Sequence, residues 1–229
     1  MESGTYITVR NIRSILAAAF DDEDFVESRQ GVKTIEIIGA SFIADEPIIF
    51  GKENNDYIRR ELDWYKSKSL NVYDIEEPVP KVWKDVADTN GMINSNYGWC
   101  VFSKENGSQY DNVLLELIQN PTSRRGQMIY TRPSMHTDWN SNGMSDFMCC
   151  SNTMHFIRDN MLFSIVCFRS QDVVFGYKND YAWMKYVHDK LANDLGIEAG
   201  PIYWNVGSLH VYEQHFKYIE EHINTCDED

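Results

Sequence analysis

The spacing of apolar residues along the chain predicts five helices. In residues 9–20 (VRNIRSILAAAF) the apolar side chains recur at three- and four-residue intervals, as on one face of a helix. Residues 109–119 (QYDNVLLELIQ) repeat this pattern and end at Asn120-Pro121, which typically stops a helix. The other predicted helices cover residues 55–66 with Glu61, residues 180–195 with a stripe of Trp183, Val187 and Leu191, and residues 210–222.

Segments typical of β-strands lie between these helices. Residues 32–43 (VKTIEIIGASFI) are rich in β-branched side chains, and the glycine within them predicts a bulge or a bend. Further strands are predicted at residues 126–132, 151–157, 161–168 and 201–206. Residues 71–100 are rich in loops. Because helices and strands mix without strict alternation, we expect one α+β domain over residues 1–229, built on one large sheet.

The net charge narrows the classes of partner. At pH 7 the chain carries a formal net charge of -14. Nucleic acids and anionic membranes bind basic surfaces, so neither is expected as a direct partner. No apolar run approaches the roughly 20 residues of a membrane span, and the N-terminus lacks the apolar stretch of a signal peptide. We therefore expect a cytoplasmic protein, in which an anionic substrate would need a local cluster of arginines.

The cysteines do not form a disulfide pattern. There are five of them: Cys100, Cys149, Cys150, Cys167 and Cys226. The number is odd, no C-x-x-C pair occurs and adjacent cysteines seldom bridge each other, which favours a reducing compartment. No second pair of cysteines or histidines lies at ligand spacing, so no metal site is expected.

Arginines at predicted strand ends are candidates for an anion site. Arg124 and Arg125 lie in a loop before a strand, Arg169 and Ser170 end an apolar strand, and Arg29 precedes the first strand. Taken singly, such residues are usually solvated loop charges. If they converge, their guanidinium groups and the serine hydroxyl would suit a phosphate.

The adjacent cysteines Cys149 and Cys150 allow two interpretations. A buried cysteine usually acts as a small apolar residue. One of the pair could instead be a nucleophilic thiolate, if the fold brings the guanidinium of Arg169 close enough to lower its pKa. His210 and His215 lie five residues apart, a poor spacing for one helix face, and are expected to be solvated or to lie in the core.

Taken in order along the chain, these signals resemble the thymidylate synthase family. The matching stretches extend from about Arg29 to His215, and their order carries the resemblance. They are Glu61-Leu62-Asp63-Trp64-Tyr65, Asn96-Tyr97-Gly98, Asn120-Pro121-Thr122-Ser123-Arg124-Arg125, Cys149, Arg169-Ser170-Gln171-Asp172 with Gly176, and Gly207-Ser208-Leu209-His210-Val211-Tyr212. The resemblance implies a large mixed sheet flanked by helices, and a homodimer in which the sheets of two subunits face each other.

The resemblance identifies Cys149 rather than Cys150 as the nucleophile. In the family the catalytic cysteine precedes the arginine of R-S-x-D by a fixed spacing, and counting back from Arg169 without a gap reaches Cys149. Choosing Cys150 would need a one-residue deletion in the intervening strands, which would turn side chains to the other face of the sheet. Cys150 then stands where family members usually carry histidine, a departure from the pattern.

A second departure concerns the residue that recognises the base. Thymidylate synthases carry an asparagine after the glycine of R-S-x-D-x-x-x-G, and the ungapped register places Asp180 there, with Asn179 one residue early. An amide suits the ring N–H and carbonyl of uracil. A carboxylate accepts from the exocyclic amine of cytosine and, if it shares a proton, also serves the ring nitrogen. We therefore expect a preference for dCMP over dUMP, unless Asp180 only caps the following helix.

With that change the chain resembles the bacteriophage members of the family that hydroxymethylate dCMP. The resemblance implies that the Cys149 thiolate adds to carbon 6 of the pyrimidine, which makes carbon 5 a nucleophile. Carbon 5 would take a one-carbon unit from 5,10-methylenetetrahydrofolate, the cosubstrate. Water would end the reaction where thymidylate synthases transfer hydride. The products would be 5-hydroxymethyl-dCMP and tetrahydrofolate.

The resemblance also assigns roles to the other residues. Glu61 would organise proton transfers and water, although a solvated helix charge is the alternative. The phosphate would be held by Arg29, Arg169 and Ser170, together with Arg124 and Arg125 of the partner subunit. The remaining candidates are His210 and Tyr212 for the sugar, Tyr97 for the base, and Asp172, Trp83 and Val82 for the folate.

Other functions are compatible with the same residues. A thymidylate synthase with an unusual base-recognising residue and a dUMP hydroxymethylase are alternatives within the family, and Asp180 argues against both. An alternative from another class is a catalytically silent scaffold of a nucleotide-synthesis complex. The presence of Glu61, Cys149 and the arginines argues against it. Such a complex is also a candidate partner of the enzyme.

Overall fold

A mixed six-stranded sheet organises the chain. The structure, a computed structural model, describes residues 6–28 and 31–226. The strands are β1 (Val26–Glu27), β2 (Lys33–Ile43), β3 (Gln127–Ile129), β4 (Cys150–Arg158), β5 (Met161–Asp172) and β6 (Glu198–Tyr212), in the spatial order β1-β2-β6-β5-β4-β3. Neighbouring strands are antiparallel except for β5 and β6, which are parallel. The α+β class expected from the sequence is confirmed.

Helices flank this sheet, and some of them begin after a residue whose side chain caps the helix. They are α1 (Val9–Asp21), α2 (Asn55–Ser67), α3 (Lys81–Val86), α4 (Tyr97–Phe102), α5 (Gln109–Gln119), α6 (Met135–Asp138), α7 (Gly176–Leu195) and α8 (Lys217–Cys226). The Asn54 side chain accepts a hydrogen bond from the backbone N–H of Tyr57 at 3.1 Å and so caps α2. In α1 the buried face consists of Val9, Ile12 and Leu16, whereas Ile15 is 42% exposed.

The long helix α7 makes the crossover between the two parallel strands. Parallel neighbours cannot be joined by a tight turn, and a helix is the usual connection. Its predicted stripe of Trp183, Val187 and Leu191 is fully buried. The helix begins at Gly176 rather than at residue 180, so Asp180 lies in its second turn. The alternative in which Asp180 caps this helix is therefore wrong.

The prediction was also wrong for the C-terminal elements. The strand predicted at residues 201–206 extends over fifteen residues, and the helix predicted at 210–222 begins only at Lys217. His210 belongs to β6, where it pairs with Asp172 of β5. Similarly, β5 continues four residues beyond its predicted end, and β3 covers only three residues of the predicted 126–132.

A bend crosses the three central strands at one level. Gly39 in β2 has a left-handed φ of +72°, and it lies opposite Gly207 in β6. A Cβ on Gly207 would lie 2.7 Å from the carbonyl oxygen of Arg169 in β5, so only glycine fits there. Beyond this level the buried positions of β6 change from Trp204 and Val206 to Leu209 and Val211. The bulge or bend predicted at the glycine of the first long strand is confirmed by this irregularity.

Candidate active site

Cys149 and Arg169 form the centre of the site. Arg169 donates its backbone N–H to the carbonyl of Cys149 at 2.9 Å, and its Nη2 lies 3.6 Å from the Cys149 sulfur. The guanidinium also donates to the carbonyls of Met148 at 3.0 Å and Phe147 at 2.6 Å, which fixes its position. Cys149 is partly exposed, whereas Cys150 is completely buried. Of these two thiols, Cys149 is thus the one that a ligand can reach.

Opposing effects act on the pKa of the Cys149 thiol, and those that raise it prevail. Burial raises the pKa of the Cys149 thiol to about 11, and the nearby charges of Asp180 and Asp146 raise it as well. The positive charge of Arg169 lowers the same pKa. In the single subunit the thiol is therefore protonated at neutral pH, and further positive charge would be needed to favour the thiolate.

Glu61 lies buried in a cluster of polar aromatic side chains. Its Oε1 accepts hydrogen bonds from the hydroxyl of Tyr57 and, at 3.0 Å, from the indole N–H of Trp83. Burial raises the pKa of Glu61, and these two hydrogen bonds oppose the rise. A buried carboxyl with a raised pKa holds its proton more readily than a solvated one, so the arrangement suits general acid–base chemistry rather than a solvated helix charge.

Asp180 extends from the second turn of α7 toward Glu61. Its Oδ2 accepts a hydrogen bond from Nε2 of Gln171 at 2.9 Å. Burial raises the pKa of Asp180 to about 7, and the charge of Glu61 adds to the rise. The hydrogen bonds from Gln171 and Tyr97 lower this pKa. Asp180 therefore exchanges a proton close to neutral pH, as a carboxyl that serves both as donor and as acceptor must do.

Tyr97 closes one side of this group and is almost fully buried. Its ring stacks on that of Tyr65, with 5.2 Å between the centroids, and meets Tyr130 edge-on at 5.3 Å. The next residue, Gly98, allows α4 to approach α2, because a Cβ there would lie 1.7 Å from the carbonyl oxygen of Tyr65. The Asn96 side chain caps α4 by accepting from the N–H of Trp99 at 2.8 Å. Local sequence thus places the hydroxyl of Tyr97 against Asp180.

The paired ends of β5 and β6 carry three further predicted residues. The rings of His210 and Tyr212 meet edge-on, with 4.8 Å between the centroids, and His210 pairs with Asp172. Burial raises the pKa of Tyr212, and the charges of Asp172 and Cys149 add to the rise, which places Tyr212 near both groups. The carboxylate of Asp172 accepts backbone N–H bonds from Val174 and Phe175, each at 3.0 Å, and thereby orders the turn before α7.

The remaining predicted ligands around the site lie on β5 and α3. Ser170 is half-buried in β5 and pairs with Ser208 of β6. On α3, Val82 is 60% exposed and precedes Trp83, the hydrogen-bond donor to Glu61. Arg29 lies outside the described residues.

Arg124 and Arg125 lie far from the cysteine of their own chain. They line an open depression of about 630 Å³ with Arg158, which ends β4, whereas Cys149 precedes the first residue of β4. Eight steps of about 3.3 Å along this strand amount to roughly 26 Å. Arg125 also forms an ion pair with Glu116 at 2.8 Å. The single chain does not bring these arginines to Cys149.

Sequence reasoning missed several residues that shape the site. Asp146 is buried three residues before the nucleophile candidate, and it accepts hydrogen bonds from the backbone N–H groups of Asn94 and Ser95 at 2.7 and 2.8 Å. Gln171 occupies the variable position of R-S-x-D and was not singled out. Tyr57 lies one helical turn before Glu61, and this spacing could have indicated it.

In residues 6–28 and 31–226, no cluster of three or more metal-ligating side chains occurs. None of the helices in the same part of the chain has the length and apolar composition needed to cross a membrane. The four cysteines whose side chains are described are free thiols.

Comparison with known proteins agrees with this geometry. A family model described as thymidylate synthase matches residues 9–228. The chain is 57% identical over 226 residues to the deoxycytidylate 5-hydroxymethyltransferase of Enterobacteria phage T2, covering 96% of this chain and 92% of that protein. It is 58% identical over 223 residues to the protein of the same name from Enterobacteria phage T4, covering 94% and 90%. Identity to the thymidylate synthase of Fusobacterium nucleatum is 30% over 171 residues, covering 72% and 59%. The chain therefore belongs to the thymidylate synthase family.

Proposed function

We propose that this chain is a deoxycytidylate 5-hydroxymethyltransferase. It would convert dCMP, 5,10-methylenetetrahydrofolate and water into 5-hydroxymethyl-dCMP and tetrahydrofolate, a modified precursor for DNA and the spent cosubstrate. The observation that carries the proposal is Asp180, a carboxyl with a pKa of about 7 beside Cys149 and Glu61. The near full-length similarity to phage proteins of this name supports the same reaction.

Cys149 is the proposed nucleophile. Its thiolate adds to carbon 6 of cytosine, and the electrons of the ring double bond move so that carbon 5 becomes nucleophilic. Carbon 5 then forms a bond to the one-carbon unit that the folate supplies. Carbon 5 loses its proton and the bond between the one-carbon unit and the folate nitrogen breaks, which releases tetrahydrofolate and leaves an exocyclic methylene group. Water adds to this methylene group and gives up a proton, and the sulfur leaves carbon 6 as a thiolate, which restores the ring double bond. Arg169, held by two backbone carbonyls, stabilises the thiolate before addition and after elimination.

Glu61 is the residue proposed to transfer protons and to position the water molecule. Tyr57 and Trp83 donate to one of its oxygens, Oε1. The other oxygen can then accept a proton from water, or return one to the base, without displacing these bonds. Burial raises the pKa of both Glu61 and Asp180, and the charge of Glu61 adds to the rise at Asp180, which suits a site that must both give and take protons.

The phosphate site is proposed to need a second copy of the chain. Arg169 and Ser170 come from the subunit of Cys149, with Arg29 added, while Arg124 and Arg125 of the partner subunit complete the site. The sheet face away from α7 suits the contact, because an open depression of about 260 Å³ lies over its centre, at Cys167 and Asn205. Partner arginines would add the positive charge that the Cys149 thiol requires.

The sugar and folate contacts follow from the surrounding elements. His210 and Tyr212 are proposed to bind the sugar hydroxyl from the end of β6. The exposed side chain of Val82 and the indole of Trp83 offer an apolar surface next to Glu61, which fits a flat pterin ring. Asp172 is proposed to contact the pterin, and its two backbone hydrogen bonds hold the carboxylate in place for that purpose.

Product analysis tests the proposal directly. Purified protein is incubated with methylenetetrahydrofolate and either dCMP or dUMP, and the masses of the nucleotides are measured by mass spectrometry. The proposal expects one added hydroxymethyl group on dCMP and none in a Cys149→Ser variant. A methyl group on dUMP would indicate a thymidylate synthase instead. No product from either nucleotide with folded protein would favour the catalytically silent scaffold.

A further inference from the structure

Two consecutive hydrogen bonds connect Trp204 to Asp180 through the side chain of Gln171. The indole N–H of Trp204 donates to Oε1 of Gln171 at 2.6 Å, and Nε2 of Gln171 donates to Oδ2 of Asp180 at 2.9 Å. An indole N–H can only donate, so the amide oxygen of Gln171 must face Trp204. The NH₂ group must then face Asp180. The orientation of this amide is fixed by its partners.

The side chains that form these two hydrogen bonds are buried and tightly packed. Trp204 is fully buried and Gln171 is 3% exposed. The indole of Trp204 stacks on Phe168 with 5.2 Å between the ring centroids and meets Tyr177 edge-on at the same distance. Water cannot easily replace either hydrogen bond in such a place, and turning the amide over would leave two buried groups unpaired.

A neutral carboxyl does not by itself distinguish cytosine from uracil. It carries one O–H donor and one carbonyl acceptor. Cytosine presents an acceptor at N3 and a donor at N4, whereas uracil presents a donor at N3 and an acceptor at O4. The same carboxyl could pair with either base if its proton could move from one oxygen to the other. Which oxygen carries the proton therefore decides the specificity.

Gln171 is the group that can fix the position of this proton. Because its NH₂ group donates to Oδ2, that oxygen must act as an acceptor, and a proton on the carboxyl belongs on Oδ1. Tyr97 also hydrogen-bonds to Asp180, but a hydroxyl rotates and can donate or accept, so it does not impose a choice. The other titratable groups facing Asp180 are Glu61, Tyr57, Tyr65, Cys149 and Cys150.

We propose that Gln171, oriented by Trp204, is a positioning residue that sets the base specificity by holding Oδ2 of Asp180 as a hydrogen-bond acceptor. Oδ2 then accepts from N4 of cytosine with its second lone pair, while the proton on Oδ1 is shared with N3. Uracil would place its O4 against Oδ2 and its N3–H against the Oδ1 proton, two repulsive contacts. The inference rests on the proposed role of Asp180 as the base-recognising residue.

Three variants test this inference through the ratio of kcat/KM for dCMP to that for dUMP. Gln171→Met removes the donor at similar size, and Trp204→Phe frees the amide while keeping an aromatic ring. Each is expected to lower the ratio about tenfold or more, as loss of one buried hydrogen bond does. Gln171→Glu replaces the donor by an acceptor and is expected to lower the ratio further. Trp183→Phe is the matched control, since the fully buried Trp183 donates instead to Tyr130 at 3.2 Å.

The pH dependence of nucleotide binding adds a second readout. The Gln171 hydrogen bond lowers the pKa of Asp180, so Gln171→Met should move the midpoint of dCMP binding, measured by calorimetry, to higher pH. If Gln171 had only a structural role, Gln171→Met would weaken the binding of dCMP and dUMP equally and would leave the pH midpoint of dCMP binding unchanged. If Trp204→Phe does not fold, Gln171→Met and its pH profile decide.

The outcomes separate this inference from the proposed function. If wild-type protein hydroxymethylates dCMP and Asp180→Asn loses that preference, while Gln171→Met keeps both the ratio and the midpoint, the function stands and the inference is overturned. If wild-type protein makes no hydroxymethylated dCMP, the proposed function itself fails. A reduced ratio in both Gln171→Met and Trp204→Phe, with Trp183→Phe unchanged, supports the inference.

Discussion

The Cys149 sulfur lies 3.6 Å from Nη2 of Arg169, and the backbone N–H of Arg169 donates to the carbonyl of Cys149. The guanidinium cannot drift away, because two carbonyls of the segment before Cys149 hold it. These bonds hold a positive charge beside the thiol. Even so, burial outweighs this charge and keeps the pKa of the thiol high in the single subunit.

Removing the charge of Arg169 should raise the pKa of Cys149 further. In Arg169→Gln the thiolate fraction at pH 8 falls, and alkylation by iodoacetamide should slow by about tenfold, one pKa unit. The measurement is the pH profile of alkylation at Cys149, followed by mass spectrometry. Arg10→Gln, which removes an exposed arginine of α1, is the control and should leave the profile unchanged. An equal profile in both variants would contradict the role of Arg169.

Asp180→Asn should reverse the base preference. An amide presents a fixed donor and acceptor that suit uracil, so kcat/KM for dCMP should fall by about 10²- to 10⁴-fold while that for dUMP is retained or rises. The kinetic dependence on a group with a pKa of about 7 should disappear as well. Asn179→Ala is the matched control. A loss of base preference in that variant would mean that the chain uses the register shifted by one residue.

Asp146 should act on both the structure and the charge of the site. It accepts three hydrogen bonds from the segment that leads into α4, including one from the hydroxyl of Ser95 at 2.6 Å, and its charge raises the pKa of Cys149. In Asp146→Asn we expect a loss of about 1–3 kcal/mol in the free energy of unfolding. Alkylation of Cys149 should become faster because its pKa falls, while kcat falls as Tyr97 loses its fixed position. Asp63→Asn, at an exposed site, should change none of these.

Buried histidines should make the folded state sensitive to acid. His155 donates from Nδ1 to Ser164 at 2.8 Å, and Ser164 donates to Nδ1 of His188 at 2.7 Å, because Nε2 of His188 must donate to the carbonyl of Gly200 at 3.0 Å. This order leaves both imidazoles neutral. Burial lowers the pKa of His155 to about 3 and also lowers that of His188.

The sign of this effect follows from proton linkage. Below about pH 6.5 the unfolded chain binds a proton at His155 that the folded chain does not, so stability falls with pH by about 1.4 kcal/mol per unit until the folded pKa is reached. Urea unfolding at pH 5 and pH 7 measures the difference in the free energy of unfolding between the two pH values. This difference should be smaller in His155→Gln than in the wild-type protein. The control, His136→Gln, removes an exposed imidazole and should keep the wild-type difference.

How far the sequence predicts the structure differs between elements. The helices at 55–66 and 109–119 were predicted to within a residue, because each has one apolar face and a clear end. The extent of β6 was not, because the bend at Gly207 shifts its buried positions by one residue and breaks the alternation that marks a strand. The residues beyond the bend were therefore assigned to the following helix.

In the candidate site, too, some residues could be predicted from the sequence and others could not. Cys149, Glu61 and Asp180 could be named from an ordered set of motifs, since each carries its own chemistry. Gln171 and Trp204 could not, because 33 positions separate them and an amide next to an indole matters only once β5 and β6 pair. The resemblance placed Arg124 and Arg125 in a second subunit, and their position at the far end of β4 is consistent with that prediction, which stays untested.

Subunit mixing should test whether two chains share one active site. Cys149→Ser lacks the nucleophile but keeps its arginines, and an Arg124→Gln/Arg125→Gln double variant keeps the nucleophile. Each should be nearly inactive alone. After the two are unfolded and refolded together, half of the dimers contain both chains and each of these holds one intact site, so about a quarter of wild-type activity should return. Refolding Cys149→Ser with a triple variant that lacks the cysteine and both arginines is the control and should recover nothing. If the first mixture also stays inactive although mixed dimers form, Arg124 and Arg125 do not complete the site of the partner subunit.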